Sequence, residues 1–219
     1  MMGQWQNVAW SAPPVWKGET FTILGCGPSL NIDDVMTCSE ITRVIAINSS
    51  FRMAPFADVL YAGDGHFWDQ YPDAMNFTGI RVGMAYDMHA GKYYPNIQDK
   101  DPAMIKMMGC SGETGLELYD RRALRMGRNG GFQAINLAVH LGAKRIILLG
   151  YDMQLVDGVN HWPGAEPRGK HQPPEPFDLF IPAFDTMVDD LAAQNIEVIN
   201  CTPGSALETF PVMPIHEVM

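Results

Sequence analysis

The chain has 219 residues and 47% hydrophobic content, enough for one domain with a sizeable core but too little for two. Its 15 basic and 25 acidic residues give a formal charge of −10, which excludes a broad nucleic-acid surface, because duplex binders need clustered cations. No stretch reaches the roughly 20 apolar residues of a membrane span, no basic-then-apolar leader opens the chain, and four cysteines without CxxC pairing are too few for a disulfide framework; a cytoplasmic protein with reduced thiols is expected.

Residues 1–19 carry Trp5, Trp10, Trp16, Pro13 and Pro14 without a period and read as an irregular N-terminal arm. The short apolar runs Thr20–Leu24, Arg43–Asn48 and Ala57–Ala62 read as the first three strands, and Gly79–Gly83 as a fourth. Asn31 to Ser39 opens on a good N-cap residue and puts Asp33 and Asp34 in the first turn, as a helix prefers; a shorter helix is expected from His66 to Tyr71. The stretch 84–128 is rich in Met, Gly and Tyr and suggests one further strand, Ala103–Met108.

The spacing of Phe132, Ile135, Asn136 and Val139 predicts a helix ending at Leu141 with Gly142 as its stop, and Lys144–Gly150 reads as the clearest buried strand. Residues 154–178 hold five prolines and no periodicity, the pattern of a lid or binding loop. A helix over Asp178–Gln194 and a strand over Ile196–Asn200 follow, then an irregular tail over 206–219. Strands alternating with helices predict a single Rossmann-like α/β domain over 20–205: a mostly parallel sheet, helices on both faces and a lid.

In such a sheet ligands bind beyond the C-terminal strand ends, so the polar residues there are the candidates. The first strand runs into Gly25-Cys26-Gly27-Pro28-Ser29-Leu30, where glycines would let backbone N–H groups approach the phosphates of a nucleotide. It is neither GxGxxG, since Leu30 takes the third glycine position, nor a P-loop, since no Gly-Lys-Ser/Thr follows. Asn48 and Ser49 end the second strand and Asp64 follows the third; Asp64 either holds a divalent ion such as Mg²⁺ against phosphates or caps the next helix. Arg128-Asn129-Gly130-Gly131 offers a second anion site at a helix start, and Asp152 closes the strongest strand. The lid carries Gln154, His161, Trp162, Arg168, Lys170 and His171, and a lid histidine suits general acid/base work.

Over most of residues 20–205 the chain resembles two groups with a sialyltransferase-like α/β fold. These are the bacterial sialyltransferases that use a CMP-sugar donor, and the 6-hydroxymethylpterin diphosphokinase-like (MptE-like) proteins, whose relatives include phage proteins. The resemblance is carried by Gly25-x-Gly27-Pro28-Ser29-Leu30, Asn48, the run from Gly131-Phe132 to Gly150-Tyr151-Asp152, and Cys201 to Ser205. It implies that Gly25 to Ser29 and Asn48 contact a nucleotide or nucleotide-sugar co-substrate, and that His171 is the general base for an acceptor hydroxyl. Asp64 matches the diphosphokinase-like group, which implies Mg²⁺ and pyrophosphoryl transfer. Cys26 stands where the sialyltransferases carry asparagine, Gly130 where they carry serine, and Gln154 where they carry the first of two phosphate-binding tyrosines. The resemblance implies a nucleotide-dependent transferase with a small-molecule or glycan acceptor; the alternative is a non-catalytic, nucleotide-binding or phage-associated protein that retains the fold.

Overall fold

The computed structural model of the chain describes residues 10–87, 92–93, 105–162 and 176–219. The elements in chain order are β1 (Thr20–Leu24), α1 (Ile32–Cys38), β2 (Arg43–Ile47), β3 (Val59–Ala62), α2 (Phe67–Gln70), β4 (Ile80–Met84), β5 (Tyr86–Asp87), β6 (Lys92–Tyr93), β7 (Lys106–Gly112) and β8 (Ala123–Arg125). They continue with α3 (Gly130–Leu141), β9 (Arg145–Leu149), α4 (Phe177–Asp185), α5 (Val188–Ala193) and β10 (Glu197–Asn200). Single 3-10 turns cover Asn48–Arg52, Pro72–Asn76 and Ile215–Glu217.

Eight strands form one sheet in the order β10-β9-β1-β2-β3-β4-β7-β8, and every neighbouring pair is parallel. β5 and β6 make a separate antiparallel pair. Strands buried on both faces need apolar side chains at every position, and successive residues divide between two cores. Phe21, Ile23, Ile45, Ile47, Val59, Tyr61, Ile146 and Leu148 pack with Phe132 and Ile135 of α3, Phe184 of α4 and Leu191 of α5. Leu24, Val44, Ala46, Leu60, Ala62, Ile147 and Leu149 pack on the other face with Val35 of α1 and Phe67 and Trp68 of α2.

The helix ends follow the local chemistry. Asn31 accepts from Asp34 N and Asn129 from Phe132 N, each leaving one fewer helix-end donor unbonded, while Gly142 stops α3 in a left-handed conformation at φ 108°. The helix expected over Asp178–Gln194 is two helices, α4 and α5. Pro182 lies inside α4 and has no N–H to give, and Thr186 Oγ1 turns back to Ala183 O at 2.6 Å just where the helix breaks.

Among the described residues of 84–128 four strands begin where one, Ala103–Met108, is expected, the short β5 and β6 among them. β7 runs to Gly112, and the three-residue β8 lies in the stretch that had no legible pattern. The arm residues Trp10 and Trp16 pack on the first core, with Trp16 edge-on to Phe21 at 5.9 Å and beneath the Arg43 guanidinium at 5.2 Å. The tail protects the outer edge of β10: Asn200 N donates to Pro211 O at 2.9 Å and Met213 N to Asn200 O at 3.1 Å. No helix among the described residues is long and apolar enough to cross a membrane.

Candidate functional site

Strand order reverses between β1 and β9: from β1 the chain builds outward through β2, β3, β4, β7 and β8, then returns to place β9 on the opposite side. A crevice opens at such a reversal, beyond the C-terminal strand ends. Its walls here are the Gly25–Leu30 turn after β1, Asn48 after β2, the residues after β9 and the start of α3.

The glycine turn is bonded to the end of β9. Gly25 N donates to Leu149 O and Gly27 N to Gly150 O, at 2.8 and 2.9 Å. Ser29 N lies 3.2 Å from Asp152 Oδ1, and Ser29 Oγ donates to Asp152 Oδ2 at 2.9 Å. A Cβ on Gly27 would fall 1.8 Å from Asp152 Oδ2, so this approach requires glycine. Asp152 is 2% exposed, and burial pushes its carboxyl upward while the Ser29 bonds pull it down. Two donors that the sequence assigns to a ligand therefore hold a carboxylate of the chain itself, and Asp152 serves to fix the turn.

Across the crevice, Cys26 Sγ donates to Ile47 O at 3.1 Å and lies 3.7 Å from Ser49 Oγ. Asn48 takes a left-handed φ of 48°, and its Oδ1 is buried without a hydrogen-bond partner. At the start of α3, Asn129 Oδ1 caps Phe132 N at 2.8 Å while its Nδ2 is likewise buried and unpartnered. Gly130 packs against Ile47 and Gly131 against Tyr151, so this helix start sits directly over the reversal. Arg128 precedes it at φ 61° and Met153 follows Asp152 at φ 50°. Three of the five non-glycine residues with positive φ among the described residues thus lie at this end of the sheet. Such conformations cost of order 1 kcal/mol or more and collect at functional sites.

Asp64 closes an Asx turn, its Oδ1 accepting from His66 N at 2.9 Å ahead of α2. This is the helix-capping role, and the bond engages one carboxylate oxygen. Among the described residues no three His, Cys, Asp or Glu side chains gather as a metal site. At the lid's start, Trp162 N donates to Cys26 O at 2.9 Å, and Gln154 Nε2 donates to Gly204 O. Asn160 Oδ1 and Trp162 Nε1 are buried without partners, and His161 lies between them in the chain. Arg168, Lys170 and His171 lie outside the described residues.

Tyr151, Asn200, Thr202 and Ser205 are hydrogen-bonded around the reversal. Tyr151, Thr202 and Ser205 lie in the runs that carry the resemblance but had no role of their own in the sequence, and Asn200 was legible only as the end of the last strand. Compared with family models, with curated proteins and with solved structures, the chain has no match.

Proposed function

We propose that the protein is a nucleotide-dependent transferase whose donor lies in the crevice between β1 and β9. The observation that carries this reading is the pair of buried, unpartnered polar atoms, Asn48 Oδ1 and Asn129 Nδ2, on two walls of the strand-order reversal. Buried polar atoms without partners cost on the order of 1–3 kcal/mol, and a bound ligand with complementary groups removes that cost.

Within this reading the crevice walls have different tasks. Asn48 Oδ1 accepts from a base or ribose donor, with Cys26 and Ser49 beside it. Phosphates are better served at Asn129, Gly130 and Gly131, where helix amides favour an anion and Arg128, 3.9 Å from Glu113, stands beside them, than at Ser29, where the Asp152 carboxylate would repel one. Glycosyl transfer then needs an acceptor hydroxyl to attack the sugar's anomeric carbon as the carbon–oxygen bond to phosphate breaks. The nucleoside phosphate leaves with the bonding pair, and the hydroxyl proton passes to a lid histidine, for which the resemblance nominates His171.

Pyrophosphoryl transfer would instead use Mg²⁺, with Asp64 as one oxygen ligand. Metal dependence separates the two transfers. Turnover of a CMP-sugar with a glycan acceptor is expected to survive EDTA and Asp64→Ala and to fall by 10²-fold or more in His171→Ala. Release of AMP from ATP with an acceptor present, lost in EDTA and in Asp64→Ala and retained in His171→Ala, assigns pyrophosphoryl transfer instead. The engagement of Ser29 by Asp152 favours a second reading, a nucleotide-binding protein, phage-associated by the resemblance, that retains the fold without turnover. Saturable nucleotide binding with no product from any donor and acceptor pair selects it.

A further inference from the structure

We propose that Tyr151 is the positioning residue that sets the spacing between the two walls of the crevice, and that the turn at 200–207 tunes ligand affinity through it. The affinity half rests on the crevice being the nucleotide site. Tyr151 is 1% exposed and lies between the glycine turn and α3. On one side its ring is so close to Gly25 that a Cβ there would sit 3.2 Å from Cδ2; on the other, a Cβ on Gly131 would sit 2.7 Å from Cε1. Its hydroxyl donates to Gly131 O at 3.1 Å. A rigid ring therefore spans from the turn after β1 to the first turn of α3, and both glycines are the contacts it needs.

Tyr151 is itself held from β10. Its N donates to Thr202 Oγ1 at 2.9 Å and its O accepts from Ser205 Oγ at 2.6 Å. Asn200, which is fully buried, donates to Ser205 Oγ at 2.9 Å and accepts from Thr202 N at 3.1 Å. Ala206 N donates to the carbonyl of Asp152, the next residue along, at 2.9 Å. These bonds hold the Tyr151 backbone in one position, so a change at Ser205 is passed to the start of α3 through that ring, beside the packing of Leu207 and Phe210 in the same core.

The test is a double-mutant cycle on Tyr151→Phe and Ser205→Ala, read by amide exchange at Phe132 and Gln133 and by the affinity for CMP, with the melting transition monitored to confirm folding. Phe keeps the ring's volume and removes one hydroxyl. Tyr151→Phe is expected to speed exchange at both amides and to weaken CMP by about 5-fold, the worth of one ordinary hydrogen bond. Ser205→Ala is expected to speed the same exchange in the Tyr151 protein and to speed it less in Tyr151→Phe, which keeps the ring but not its bond to Gly131 O. Unchanged exchange in both single variants, or equal Ser205→Ala effects in both backgrounds, overturns the positioning role. Faster exchange with unchanged CMP affinity overturns the link to the ligand. A parent protein that binds no nucleotide sinks the proposed function, and the exchange cycle then decides the positioning role alone. Should Ser205→Ala fail to fold, Thr202→Val takes its place in the cycle.

Discussion

Gly27 lacks a side chain because Asp152 stands where its Cβ would be, and the Gly150 carbonyl lies 2.6 Å from the same point. The carbonyl is backbone and the buried carboxylate is held by Ser29, so Gly27→Ala is expected to lose about 3 kcal/mol of stability in chemical denaturation, near the upper end for overpacking. Asp152→Ala leaves the part-buried Ser29 amide and hydroxyl without their acceptor and is expected to cost about 1–3 kcal/mol in the same assay. The sequence made the turn legible through its glycines and its place after a strand. Asp152 was legible too, as the end of the strongest strand, but its partner was not: Ser29 and Asp152 are 123 positions apart, and no local pattern encodes that contact. For the same reason Tyr151 was the unassigned middle residue of the Gly150-Tyr151-Asp152 ending, while the structure makes it the ring between two walls.

At the level of elements, clear apolar runs read correctly even at four or five residues, while the longest expected helix, Asp178–Gln194, is broken in two and the patternless β8 was missed. β9 and α3 follow from an unbroken apolar run and a helical spacing. β8 has three residues, too few to show a period, and exists because other parts hold it: Arg125 N donates to Asn136 Oδ1 at 3.0 Å, and the His140 ring bonds Ala123 O at 2.9 Å. Burial holds His140 below the usual histidine range, with the Ala123 bond, Glu117 and Asp120 opposing and Arg121 assisting. A lowered folded-state value means the unfolded chain binds the proton more readily, so this contribution is present above the ordinary histidine range and is lost as pH falls through it. Unfolding free energy measured at pH 7.5 and 5.5 is therefore expected to fall more for the parent protein than for His140→Gln; equal falls would remove His140 from the account. On the sheet itself, Ile147→Ala in β9 opens a cavity in the second core and is expected to cost about 2–5 kcal/mol.

Over the whole molecule, alternating strands and helices implied a parallel sheet, and the sheet is parallel throughout, with cores on both faces. Strand order was out of reach, because crossover lengths alone do not say on which side of β1 the returning strand β9 will add. That one topological step decides where the crevice lies and which residues meet there: the turn after β1, Asn48 after β2, Asp152 after β9 and Asn129 at α3. The acidic surface implied by a charge of −10 makes local capture of an anion more demanding, and helix amides beside Arg128 meet that demand without a basic face. The most direct measurement is the thermal unfolding of the parent protein and of Asn48→Ala and Asn129→Ala across CMP, CDP, CTP, ATP, GTP and CMP-sugars. A nucleotide present at about 100 times its Kd should stabilise the parent by about 2.7 kcal/mol, with the gain reduced in both variants. No stabilisation by any nucleotide, or equal stabilisation of parent and variants, contradicts a nucleotide site in the crevice.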